Sequence, residues 1–303
     1  MNQALTTLPT ALRRRAPGWA AIALCCLAPL AFAADPEPAA PSLPIDNERS
    51  GVQRPLWELG VGLAGLRVPD YRGSDQTSSY LLPLPFIVYR GKFLRADKDG
   101  ARAVIVDAPR FEIDLSLGAS VPTSKDNEAR SGMADLKPII EFGPNAIVSL
   151  FRSDDRKFKL DLRLPLRAAF TVESSPRMIG TTFSPNLNLD VAKVAGGWNL
   201  GLLAGPLYGD RRYHQYYYGV DAGEATAQRP AYRAQGGYAG WQAIAAASQR
   251  FGNAWVGAFV RYDSVRGAVF EDSPLVRRNS GITIGLGVSW VLARSSELVT
   301  SSD

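Results

Sequence analysis

The sequence predicts an all-β protein, a closed antiparallel transmembrane β-barrel of about twelve strands, within a range of about ten to fourteen. Three observations predict it. Several segments alternate apolar and polar residues over lengths that can cross a bilayer, no segment after residue 33 forms a run of about 18 apolar residues, and an export leader precedes them.

The leader comes first. Arg13, Arg14 and Arg15 form a positive start, Trp19 to Leu30 an apolar stretch, and Ala31-Phe32-Ala33 the small-x-small pattern that signal peptidase reads. Residues 1–33 are therefore expected to be a signal peptide cut between Ala33 and Ala34. The apolar stretch is too short for a bilayer-spanning helix, which needs about 20 residues. Both cysteines, Cys25 and Cys26, fall inside it, so the mature chain is expected to hold no disulfide, thiolate nucleophile or cysteine metal site. Removing the three arginines takes the 34 basic residues to 31 against 29 acidic ones, a charge of +2 in place of +5. That near-neutral chain carries no electrostatic footprint for nucleic acid. Export leaves the periplasm or the outer membrane, and the barrel reading selects the outer membrane, with its lipid as surroundings.

Residues 34–56 differ in kind. Pro36, Pro38, Pro41, Pro44 and Pro55, with few large apolar side chains, describe an extended periplasmic tether. The barrel is expected over 57–292. Its clearest strand runs from Phe158 to Phe170, where Phe158, Leu160, Leu162, Leu164, Leu166, Ala168 and Phe170 alternate with Lys159, Asp161, Arg163, Pro165 and Arg167. Side chains alternate faces along a strand, so one face is apolar and the other largely charged, over the length a tilted strand needs to cross a membrane. Phe111–Ala119 and Ile282–Leu292 repeat the period, as does Trp57–Leu63, where Gly60 and Gly62 leave room inside a closed barrel. Apolar residues at every second position would surround a helix rather than stripe it.

The same test places strands at 57–67, 80–90, 92–96, 101–107, 110–120, 136–152, 157–172, 181–192, 197–208, 238–250, 253–263 and 281–292. Pro83, Pro85, Pro138 and Pro165 each remove a ladder donor, a cost that bulges or strand ends must absorb. With both termini periplasmic, the short links fall on one side. The longer ones, 68–79, 121–135, 173–180, 209–237 and 264–280, fall on the other, as in bacterial barrels, with the tight Asp97–Gly100 turn the one short link on that side. Residues 293–303 form a polar C-terminal tail expected to be loose.

Little of this sequence offers chemistry. His214 is the single histidine, near Asp210 and Asp221 but with no serine close in sequence, and no G-x-S-x-G, H-E-x-x-H, P-loop or dinucleotide fingerprint occurs. No catalytic residue, cofactor or metal is expected. Tyr213, Tyr216, Tyr217, Tyr218 and Tyr232 could bind a sugar or aromatic ligand, form an interfacial girdle, or pack a loop into the barrel mouth. The inward charges Glu58, Glu112, Asp114, Glu141, Asp161, Arg163, Arg167 and Asp190 are of mixed sign, which suits pairing across a narrow lumen better than a selective pore.

Certain motifs go beyond class. Pro69-Asp70-Tyr71-Arg72-Gly73-Ser74-Asp75 follows the first strand, then come Leu84-Pro85, Tyr89-Arg90-Gly91, Leu164-Pro165-Leu166-Arg167, Tyr217-Tyr218-Gly219-Val220, Ala231-Tyr232 and Gly236-Gly237. In order and spacing the chain resembles the MipA/OmpV family of MltA-interacting outer-membrane proteins over about residues 55–292. The tail beyond Trp290 departs from a barrel that ends at its last strand. The resemblance implies a non-catalytic outer-membrane scaffold joining a lytic transglycosylase to a murein synthase at the peptidoglycan, or, as in other members, a porin-like channel or adhesin. It assigns no role to Pro69, Tyr71, Gly73, Ser74, Tyr217, Tyr218 or Gly219, which identify the family only.

Overall fold

The computed structural model describes residues 53–97, 100–120 and 127–300. The leader, its cleavage point and the segment 34–52 lie outside the described residues.

The strands are β1 (Trp57–Pro69), β2 (Thr77–Arg90), β3 (Leu94–Asp97), β4 (Gly100–Ala108), β5 (Phe111–Ala119), β6 (Ile139–Arg152) and β7 (Phe158–Thr171). Then follow β8 (Met178–Phe183 and Asn186–Val194), β9 (Trp198–Gly209), β10 (Gly237–Phe251), β11 (Ala254–Ser264) and β12 (Ser280–Arg294). Each pairs antiparallel with the next, and β12 returns to β1, so the sheet closes. The two pieces of β8 share the same neighbours, β7 and β9, and make one strand broken at Ser184-Pro185. Twelve strands result, as the alternation predicts.

The barrel is inside-out relative to a soluble core. Val61, Leu81, Ile284, Leu286 and Leu292 are exposed on the outer wall, whereas Glu58, Asp114, Glu141, Asp161, Arg167 and Asn188 are buried in the lumen. Only a lipid surround makes the outer face favourable, because the barrel satisfies its backbone internally and presents grease outward.

The prolines are accommodated in three ways. Pro138 lies just before β6. Pro83 and Pro85 pair toward β1, and among the described residues β2 meets β3 only at Tyr89 and Arg90, so these prolines lie on its less paired stretch. Pro165 lies opposite the break in β8, its carbonyl accepting from the Ser184 N–H at 3.2 Å.

The described C-terminal tail is not loose. Leu298–Thr300 pairs antiparallel with Gln53–Pro55, and Leu56 N donates to Glu297 O at 2.9 Å. This two-stranded ribbon extends the barrel at the end of the short links. The tail's polarity signalled solvent exposure, and pairing between segments more than 240 residues apart leaves no local mark.

Candidate functional site

The long links converge on one end of the barrel and close it with a packed cap. Its base is the family motif that follows β1. Asp70 accepts from Ser78 Oγ at 2.6 Å and Asn127 Nδ2 at 2.8 Å, and Ser74 Oγ accepts from the same amide at 3.1 Å. Tyr71 is wholly buried and its hydroxyl donates to Leu275 O at 2.7 Å. Gly73 turns the chain at φ +92°, a conformation that a Cβ disfavours, and its carbonyl accepts from the N–H groups of Arg277 and Arg278. Pro69 ends β1 and starts this turn.

The second motif lies on a helix, α1 (Arg211–Tyr218), within the long link 209–237 where the alternation predicts no regular element. Asp210 caps it by accepting from Tyr213 N at 2.7 Å, and the same carboxylate accepts from Thr181 N and Oγ1 at 2.8 Å. Helical spacing puts Tyr213 and Tyr217, and His214 and Tyr218, on one buried face, and Gly219 ends the helix with its N–H on Gln215 O. The two motifs meet here: Tyr218 Oη donates to Arg72 O at 3.0 Å, and the Tyr71 and Tyr218 rings contact edge to face.

A further link supplies Phe270, wholly buried, stacked on Tyr218 with centroids 3.7 Å apart and planes at 8°. Arg130 donates to Tyr217 O, and Arg229 holds Ala129 O and Ser131 O, tying the segment after 127 to the same cap. Of the readings open for the tyrosine cluster, packing into the mouth is the one observed. The girdle reading is corrected for these residues, because Tyr213, Tyr217 and Tyr218 are buried cap core.

His214 is buried with its Nδ1 at 2.6 Å from Gln235 O and its ring against Phe270, centroids 4.7 Å apart. The residue also lines a cavity of about 30 Å³ with Arg72, Thr182, Ser184, Tyr208 and Arg261. Thr182 and Ser184 are hydroxyls that sequence distance hid, but the space is on the scale of one or two waters rather than a substrate. Burial, with Arg72 nearby, holds the imidazole below its usual pKa, while the Gln235 carbonyl and Asp210 oppose the shift. A histidine whose folded pKa is depressed stabilises the fold above about pH 6.5, and that contribution is lost as pH falls from there toward the folded value. Intrinsic-rate-corrected hydrogen exchange over 210–236 should therefore quicken between pH 7.5 and pH 5.5, and His214→Gln should remove most of that difference.

Below the cap, the inward charges pair. Glu58 takes Arg90 at 2.9 Å and Arg250 at 2.7 Å, Lys159 meets Asp161 at 2.8 Å, and Arg261 meets Asp263 at 2.6 Å. Arg167 donates to Ser116 Oγ, and Asn145 Nδ2 to Asp114. Among the described residues no group of three or more His, Asp or Glu is placed to hold a metal ion.

A lipid-facing wall, a charged and paired lumen and one capped mouth define a transmembrane β-barrel. Residues 61–292 match the family described as MltA-interacting protein MipA, and the chain belongs to that family. No curated protein matches in sequence. Among solved structures, a "Bacterial polysaccharide outer membrane secretin" is similar at 8% identity and TM-score 0.39, covering 78% of this chain and 99% of that one. A "CymD monoaromatic hydrocarbon channel" is similar at 9% identity and TM-score 0.24, covering 82% and 69%. Likenesses that distant carry no functional argument.

Proposed function

We propose that this protein is a non-enzymatic scaffold of the outer membrane, with its capped end outside and its short turns and termini in the periplasm. There it holds a lytic transglycosylase and a murein synthase near the peptidoglycan. The capped mouth carries this reading: with the long loops folded on themselves, the end left for a partner is the one bearing the short links and the terminal ribbon. The family's description as MltA-interacting supports the choice of partner. The Pro-rich composition of 34–52 suits a semi-rigid spacer reaching below the membrane. Affinity purification of the full chain from gently solubilised membranes should recover a murein enzyme, and deleting 36–52 should reduce recovery. Repeated absence of any such enzyme would overturn the proposal.

A small-solute channel is the second reading, favoured by the polar lumen. It requires the mouth to open, and planar-bilayer recordings on Phe270→Ala decide it.

A further inference from the structure

The outer wall carries a feature that scaffolding does not use. Across β8 to β11 lies an apolar groove of about 440 Å³, walled by Leu187, Leu189 and Leu202 on one side and Val260 and Tyr262 on the other. Its floor is Ala204, Ala243 and Ala245, set side by side by the pairings Ala204↔Ala243 and Leu202↔Ala245. The volume falls in the roughly 300–1,000 Å³ range of clefts that hold ligands.

Above the groove, toward the capped end, the same strands carry aromatic residues. Tyr208 packs against Phe183 and Tyr238 with centroids 6.3 and 5.8 Å away, and Trp241 is exposed beside them. Aromatic side chains mark the headgroup level of a membrane. Higher still, exposed Arg211 and Arg212 open α1, whose start lies against Gly236 at the head of β10. Exposed Arg266 precedes Gly267, which lies beside the Tyr238 ring. Among the described residues these three arginines have no ion-pair partner. Two nearby acids are engaged elsewhere: Asp210 by Thr181 and Tyr213, and Glu271 by Gly267 N and Asn279.

The depths agree. Ala204 is five residues below Gly209, roughly 17 Å along the strand at about 3.3 Å per residue. At a tilt of about 40° that is roughly 13 Å below the strand end, within one leaflet of a core about 30 Å thick.

We propose that this wall is a binding site for an anionic lipid of the leaflet on the capped side. An acyl chain lies in the groove and a phosphate-bearing headgroup is held by Arg211, Arg212 and Arg266. With the capped end outside, as proposed above, the ligand is a phosphorylated, multiply acylated glycolipid; the inference rests on that orientation. Guanidinium forks match phosphate oxygens, and apolar burial adds affinity that a free phosphate lacks.

The test uses the full-length barrel in detergent, with lipid A, phosphatidylglycerol, phosphatidylcholine and inorganic phosphate as separate probes, read by native mass spectrometry. Lipid A should bind in preference to phosphatidylcholine, and inorganic phosphate should not displace it. Arg211→Gln/Arg212→Gln/Arg266→Gln should weaken binding by about tenfold or more. Ala243→Phe/Ala245→Phe, which fills the groove from the lipid side, should weaken it without touching the arginines. Circular dichroism and heat-modifiable gel mobility verify that each variant is folded. Equal binding of lipid A and phosphatidylcholine, or folded variants that bind as wild type does, overturns the site. Preference for phosphatidylglycerol over lipid A, lost in both variants, keeps the anionic-lipid site but overturns the glycolipid assignment and the orientation behind it. Surface labelling of a cysteine placed at Asp221 in intact cells tests that orientation separately, and loss of murein-enzyme recovery bears on the scaffold alone.

Discussion

Glu58→Ala should destabilise the barrel by about 3–5 kcal/mol, the cost of leaving buried charge without its partner. Glu58 is 2% exposed and its carboxylate is shared by two arginines, Arg90 from the adjacent β2 and Arg250 from the more distant β10. It thus ties β1 and β2 to a strand that pairs with neither of them. Removing it sets Arg90 and Arg250 against each other at the end of the lumen nearest the terminal ribbon. Urea titration of the refolded barrel in lipid vesicles would read the loss as a lower midpoint with unchanged slope. Glu58→Leu/Arg90→Met should recover part of it, because deleting both members of a buried pair costs less than deleting one. A single variant as stable as wild type would mean that water enters this end of the lumen and screens the pair.

The strand alternation made the barrel legible. β7 was expected at 157–172 and spans Phe158–Thr171, and its charged face is the lumen face. The period of two is a local property that lipid outside and ion pairs inside both demand. Local patterning could not show where the long links go. Tyr213, His214, Tyr217 and Tyr218 have helical spacing after an Asp210 cap, yet a run of aromatics beside a strand reads equally as a girdle. The partners that make them core, Tyr71 and Phe270, lie far off in sequence, and only the closed sheet brings them together. The residues Pro69, Tyr71, Gly73, Ser74, Tyr217, Tyr218 and Gly219 were legible as a family signature before their placement was. In the fold they build the cap or the turn that carries it. The real aromatic belt, Phe183, Tyr208, Tyr238 and Trp241, sits on strand ends: Phe183, Tyr208 and Trp241 fall at ordinary alternating positions, where nothing in the local pattern separates a belt residue from any other outward side chain, and Tyr238 falls beyond a register shift that the alternation does not show.

Phe270→Ala decides between a closed scaffold and a gated channel. The ring is wholly buried, stacked on Tyr218 and set edge-on to His214, so truncation leaves a cavity at the centre of the cap. A buried Phe→Ala change costs about 3–5 kcal/mol where surroundings cannot collapse. The cap is made of links, whereas the barrel is held by its closed ladder, so the loss should fall on 210–236 and 265–279 and leave the strands paired. Planar-bilayer recordings should show wild type without conductance steps and the variant with openings, at equal heat-modifiable mobility on gels. Steps in wild type at neutral pH would instead make the cap a lid in motion and favour transport. Silence in both, with hydrogen exchange proving the cap undone, would place the block deeper, at the charged layer of Glu141, Arg167 and Asp114. The mouth would then be sealed twice, which a scaffold tolerates and a channel does not.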